Sequence, residues 1–146
     1  MSIGTGFAVV GAPSANAVFV YRTAPADAEA IATLRSPDAI SGDSFGTSVS
    51  LSRSGRWIVA GAPHRDEGGT LNKGAVYVFR HSSGMWSFHS KINSNLAGQN
   101  DRFGWSVSVD DSVGVVRVLV GCNYNVDFSG FVEVFEMPST GDVTTE

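Results

Sequence analysis

Residues 45–80 hold three apolar runs separated by turn residues, and the same order of letters returns on both sides of them at spacings of 50 to 60 residues. A repeat of this length means that one supersecondary unit is used several times, which constrains the fold before composition does. Val9-Val10-Gly11-Ala12-Pro13 matches Val59-Ala60-Gly61-Ala62-Pro63, and Val120-Gly121-Cys122-Asn123 matches again. Val18-Phe19-Val20-Tyr21-Arg22, Val76-Tyr77-Val78-Phe79-Arg80 and Val132-Glu133-Val134-Phe135-Glu136 form a second set. Asp43-Ser44-Phe45-Gly46 and Asp101-Arg102-Phe103-Gly104 form a third. The runs keep their character while the spacing drifts, as expected when strands are constrained and loops vary.

Within the central unit, residues 45–51 alternate apolar and polar, the period of a half-buried strand predicted to start at Phe45. Ser52-Arg53-Ser54-Gly55 reads as a turn, Trp57-Ile58-Val59-Ala60 as a short strand closed by Pro63, and Ala75-Val76-Tyr77-Val78-Phe79 as a β-branched and aromatic strand. A fourth strand is expected in residues 85–92. Aligned on the glycines, Met1 falls opposite Leu51, so residues 1–36 are expected to be a partial unit lacking its first strand. Residues 43–93 form the complete unit, and residues 101–146 a partial one stopping inside its fourth strand, at 142–146. These ends raise the expectation of a fragment of a longer polypeptide. The fourth strand of the first unit is placed at about Ala30 to Arg35, although Pro25 followed by acids and alanines reads locally as a helix start.

Composition agrees with an all-β domain. Seventeen glycines, with no long apolar run at helical spacing, favour short strands joined by tight turns. A formal charge of −4 argues against the basic face that a nucleic-acid partner requires. The single cysteine, Cys122, has no intrachain partner and reads as a small core residue. The first residues carry no basic segment followed by an apolar one of signal-peptide length, and no membrane segment is found.

The order Phe45-Gly46, Gly61-Ala62-Pro63, Gly74-Ala75-Val76-Tyr77-Val78-Phe79 resembles the FG-GAP repeat, the blade unit of the integrin α-subunit propeller and of integrin-like surface proteins. The resemblance implies four-stranded antiparallel β-propeller blades, about two and a half of them here. It also implies a non-catalytic protein–protein interaction, adhesion or assembly module, with an extracellular or cell-surface place for the full-length parent. Gly46, Gly61, Gly104 and Gly121, with Ala62 and Pro63, are then structural repeat positions where backbones approach closely. Phe45 and Phe103, joined by Trp57, Tyr77 and Phe79, would fill the space between blades. Asp43 and Asp101 would cap turn N–H groups.

The chain departs from the family where many blades carry an acidic calcium hairpin between the first and second strands. Ser52-Arg53-Ser54-Gly55 has no carboxylate, and Asp110-Asp111 has too few ligands and reads as a solvated hairpin, so no metal site and no cofactor are expected. Gly42-Asp43-Ser44-Phe45-Gly46 matches a serine-hydrolase elbow, but that motif needs a helix after the serine, and a strand pattern follows. No catalytic residue is assigned. His64-Arg65-Asp66-Glu67 is the densest ionisable cluster and is expected in a solvated loop, residues 64–73. With Tyr124, Asp127 and Phe128 it makes the candidate partner-binding surface, on the face the resemblance assigns to partners. The expected partner is a protein or further blades, including a homo-oligomer that covers the open ends. The alternative is a hydrolase or carbohydrate-binding propeller using the same loop face.

Overall fold

The structure is a computed structural model that describes residues 1–24, 29–123 and 129–139. Three antiparallel sheets follow one another along the chain. The first joins β1 (Ser2–Gly4), β2 (Phe7–Ala12), β3 (Ala17–Arg22) and β4 (Ala32–Leu34) in that order. The second joins β5 (Ser48–Leu51), β6 (Trp57–Ala62), β7 (Ala75–Ser82) and β8 (Met85–Ile92). In the third, β9 (Ser106–Asp110) pairs with β10 (Val115–Cys122), which pairs with β11 (Phe131–Pro138). Each sheet is an up-and-down meander of neighbours in sequence, and the sheets pack face to face as propeller-like blades that do not close a ring.

The middle sheet is buried on both sides. Successive side chains of a strand point to opposite faces, so Ile58, Ala60 and Ala62 of β6 and Ala75, Tyr77 and Phe79 of β7 enter a core shared with Val9, Val18, Val20 and Leu34 of the first sheet. Their neighbours Trp57, Val59, Val76 and Val78 enter a second core with Val109, Val116, Val118 and Val120 of the third. This explains why residues 57–62 are apolar without alternation: both faces of that strand are dry. Phe45 fills the first core and Phe103 the second, each fully buried, and Phe45 meets Tyr77 and Phe79 edge to face.

The sheets are held together by glycine on glycine. A Cβ built on Gly11 would lie 1.9 Å from the Gly46 carbonyl oxygen, and one on Gly61 would lie 1.9 Å from that of Gly104. The carbonyls reach that close because Gly46 and Gly104 turn the backbone at φ of 93° and 90°, which a side chain disfavours.

Three sequence expectations are corrected. The strand predicted from Phe45 begins at Ser48, because Gly46 turns the chain and gives its N–H to the Gly61 carbonyl at 2.9 Å. The first unit, expected to lack its first strand, has one: β1 pairs Ser2 with Val9 as β5 pairs Ser50 with Val59. The glycine alignment hid it because the turn between β1 and β2 is Thr5-Gly6, whereas Ser52 and Trp57 close a longer turn through a 2.8 Å backbone bond. The fourth strand of the first unit is Ala32–Leu34, shorter than the predicted span of Ala30 to Arg35. The helix-like start at residues 25–28 and the truncated strand at 142–146 lie outside the described residues.

The backbone contacts lead to a stability test. Gly61→Ala should cost about 3 kcal/mol or abolish folding, since overpacking against a backbone carbonyl has no flexible neighbour to yield. Gly84→Ala, at φ 80° with open space around it, should cost only about 1 kcal/mol from its left-handed backbone. Urea denaturation of both variants checks this, and equal losses would refute the close-contact role.

Candidate functional site

One end of the molecule gathers the β2–β3 turn, the β6–β7 loop and the linkers between sheets. Its best-connected feature is Arg65, which the sequence placed in a solvated loop. Its side chain is only 11% exposed. Nη1 donates to the Asp38 carbonyl at 2.8 Å and to Asp43 Oδ2 at 2.9 Å, while Nη2 donates to Asp38 Oδ2 at 3.2 Å. Lys91 from β8 reaches Asp38 Oδ2 at 2.8 Å and also binds the Glu67 carboxylate, and the Tyr77 hydroxyl donates to Asp38 Oδ1 at 2.7 Å. Glu67 lies 3.7 Å from Arg65 Nε, and Asp66, exposed, accepts the Asn72 N–H at 2.8 Å. The expectation of a solvated loop is therefore corrected for Arg65 and Glu67. Arg65 turns inward because the linker carboxylates of Asp38 and Asp43 face it, and Glu67 because the Lys91 ammonium does.

The electrostatics follow from that arrangement. Burial pushes the Asp38 carboxyl upward, but hydrogen bonds from Lys91 and Tyr77, with the charges of Lys91 and Arg65, hold it below its ordinary value. Burial and the neighbouring Asp38 carboxylate raise Tyr77, so its hydroxyl stays a donor. Asp43 also accepts the Ile40 N–H at 2.9 Å, and Asp101 accepts the Gly98 N–H at 2.7 Å, the capping role read from the repeat.

Beside the network, His64 Nδ1 and Ser44 Oγ lie 3.0 Å apart. The sequence weighed the two residues separately; the tertiary structure brings them together, with Ser44 at φ 58°. The two backbone N–H groups that follow the serine are committed elsewhere. The Phe45 N–H goes to Asn16 Oδ1 at 3.1 Å and the Gly46 N–H to Gly61, and a turn and a strand follow the serine rather than a helix. His64 meets Trp105 edge to face, and the Arg102 guanidinium lies over the Trp105 ring at 5.7 Å.

The linker into the third sheet is zipped onto the β6–β7 loop. The N–H groups of Asn100, Arg102 and Phe103 donate to the carbonyls of Leu71, Asn72 and Lys73 at 2.9, 3.1 and 2.9 Å. Ile40, Leu71, Leu96 and Trp105 stay 58%, 54%, 73% and 40% exposed in these loops and linkers. None of the four was singled out in the sequence, where a lone apolar residue in a polar loop carries no periodic signal. Asp38 and Lys91 were likewise missed as partners, because they lie 53 residues apart. Tyr124, Asp127 and Phe128 lie outside the described residues.

At the opposite end, the expected solvated Asp110-Asp111 hairpin is corrected for one of its acids. Asp110 is exposed, but Asp111 is 8% exposed and accepts the Ser54 N–H at 3.4 Å and the Ser54 hydroxyl. The adjacent sheet's turn supplies the donors that draw it in.

The family model for the FG-GAP repeat matches residues 29–79, from the linker before β4 to the aromatic run of β7. A search of the curated proteins found no match. Among the described residues no helix is long and apolar enough to cross a membrane.

The Asp38 network makes the acid limb of stability its test. A carboxylate whose folded pKa lies below its unfolded value stabilises above the unfolded value, about 4, and that contribution is lost as pH falls toward the folded one. Asp38→Asn should therefore be less stable than the parent at pH 7 and lose less on going from pH 5 to pH 2.5. Identical pH slopes in urea melts would remove Asp38 from this role.

Proposed function

We propose that this FG-GAP repeat protein is a non-catalytic protein–protein interaction module of the integrin-like propeller type, and that it meets its partner with the loop end that carries the β6–β7 loop and the linkers into the second and third sheets. The observation that carries the reading is the exposure of Ile40, Leu71, Leu96 and Trp105 at that end, with Arg102 stacked on the tryptophan. Exposed apolar side chains beside an arginine and an aromatic ring have the composition of an interface hot spot. The backbone zipper at residues 71–73 and the Arg65 network support the same reading, since loops already held in place lose less entropy on binding. Adhesion at a cell surface is the use that the family resemblance implies.

One observation favours a second reading. The 3.0 Å contact of Ser44 with His64 is the start of a hydrolase dyad. The commitment of the neighbouring N–H groups speaks against it. Both readings meet in one experiment. Chemical cross-linking of the tagged chain in a native extract should give a partner whose capture falls at least tenfold in a Trp105→Ala, Leu71→Ser double variant and is unchanged in Ser44→Ala. Capture that ignores the double variant would sink the interaction reading. Turnover of a model ester or glycoside that disappears in Ser44→Ala would establish the enzyme instead.

A further inference from the structure

Away from the loop end, the core between the first and second sheets finishes in two cross-strand pairs that face each other. Phe7 stands opposite Arg22 in the β2–β3 register, and His81 opposite Trp86 in the β7–β8 register. Side chains directly opposite in an antiparallel pair share a face of the sheet, so each pair projects together. The rings meet across the junction, with Phe7 5.0 Å from His81 and 5.6 Å from Trp86, both edge to face. The His81 and Trp86 rings lie 4.9 Å apart. Phe7 and Trp86 pack on the buried core beneath them.

The next junction closes the corresponding place. Trp57 pairs with Arg80 as Phe7 pairs with Arg22, yet Trp57 is fully buried, with the Arg80 guanidinium 5.4 Å over its ring. At the first junction Phe7 is only partly buried, and a cavity of about 380 Å³ opens beside the three rings, flanked by the exposed Ile31 and Met85. Arg22 lines the same cavity, is exposed, and makes no hydrogen bond, ion pair or ring stack among the described residues. The Nε1 donor of Trp86 is buried without a partner. Among the described residues no carboxylate lines the cavity.

We propose that this cavity binds a small aromatic carboxylate. The ligand's ring would pack among Phe7, His81 and Trp86, where the perpendicular ring geometry already in place favours an aromatic guest. Its carboxylate would take Arg22, whose planar fork of donors matches two carboxylate oxygens. An acceptor that reached Trp86 Nε1 would relieve a buried, unpaired donor. Charge decides against the other guest of ring clusters, a quaternary ammonium, because the cavity offers it a cation and no facing carboxylate. The volume lies within the roughly 300 to 1,000 Å³ of small-molecule sites.

The test titrates 2-naphthylacetate into the full chain at neutral pH and reads the indole N–H signals by NMR. A saturable shift of the Trp86 signal is expected, with that of Trp105 unmoved. The neutral 2-naphthylacetamide should bind at least tenfold more weakly, as should 2-naphthylacetate to Arg22→Gln, and acetate alone should leave the Trp86 signal in place. Arg22 is exposed and unpaired, so the melting temperature of that variant should stay within a few degrees of the parent. No saturation at millimolar ligand, equal binding of the amide, or binding indifferent to Arg22→Gln overturns the proposal. A peptide ending in a free phenylalanine carboxylate that binds at least tenfold more tightly than 2-naphthylacetate also overturns it, because the cavity would then serve a chain terminus. The loop-end reading stands apart from every one of these results, since Trp105 and Leu71 lie at the other end of the sheets.

Discussion

The structure depends on backbone carbonyls of one unit lying against glycines of the preceding one. Gly46 on Gly11 and Gly104 on Gly61 bring the sheets close enough for side chains between them to interdigitate. Any side chain at these positions would push the sheets apart and leave voids around Phe45 and Phe103, where lost contact costs energy at once. The Phe-Gly and Gly-Ala-Pro letters of the repeat therefore meet twice: within a unit, where the Gly46 N–H bonds the Gly61 carbonyl, and between successive units, where the Gly46 and Gly104 carbonyls lie against Gly11 and Gly61.

From that contact the rest of the packing follows. Sheets this close bury both faces of the middle one, so its strands divide their side chains between two cores, while the outer sheets keep one face dry and one open. The burial of β11 alternates along its length for this reason. The peripheral strands are less buried than β6 and β7, and the exposed end face of the third sheet retains the apolar pattern that its inner counterpart uses for packing.

The loop end is ordered by charge rather than by apolar burial. Arg65 draws the first linker against the second sheet through two carboxylates, and Lys91 adds a second cation from β8. These groups are partly shielded from water, and several of their hydrogen bonds are charge-assisted, which strengthens them relative to neutral ones. Removing one partner would leave the others facing uncompensated charge. The ionisable residues that stood out in the sequence as a binding cluster thus serve in part to hold the surface that surrounds them.

Much of the architecture was legible in the letters. The repeat, its strands and the burial of its aromatics all followed from period and turn chemistry, which act over a few residues and leave a local mark. What failed was either a matter of turn length, as with β1, or of distance. Asp38 meets Lys91 and His64 meets Ser44 because the linker ahead of the second sheet folds back over that sheet's loop end, and Asp111 meets Ser54 because neighbouring sheets are stacked. By itself the sequence determined that this chain makes repeated antiparallel sheets with glycines at fixed stations. Tertiary structure alone decided which polar side chains turn inward and which apolar ones remain in water, because both depend on the free energy of facing a neighbouring sheet, and no window of adjacent residues contains that neighbour.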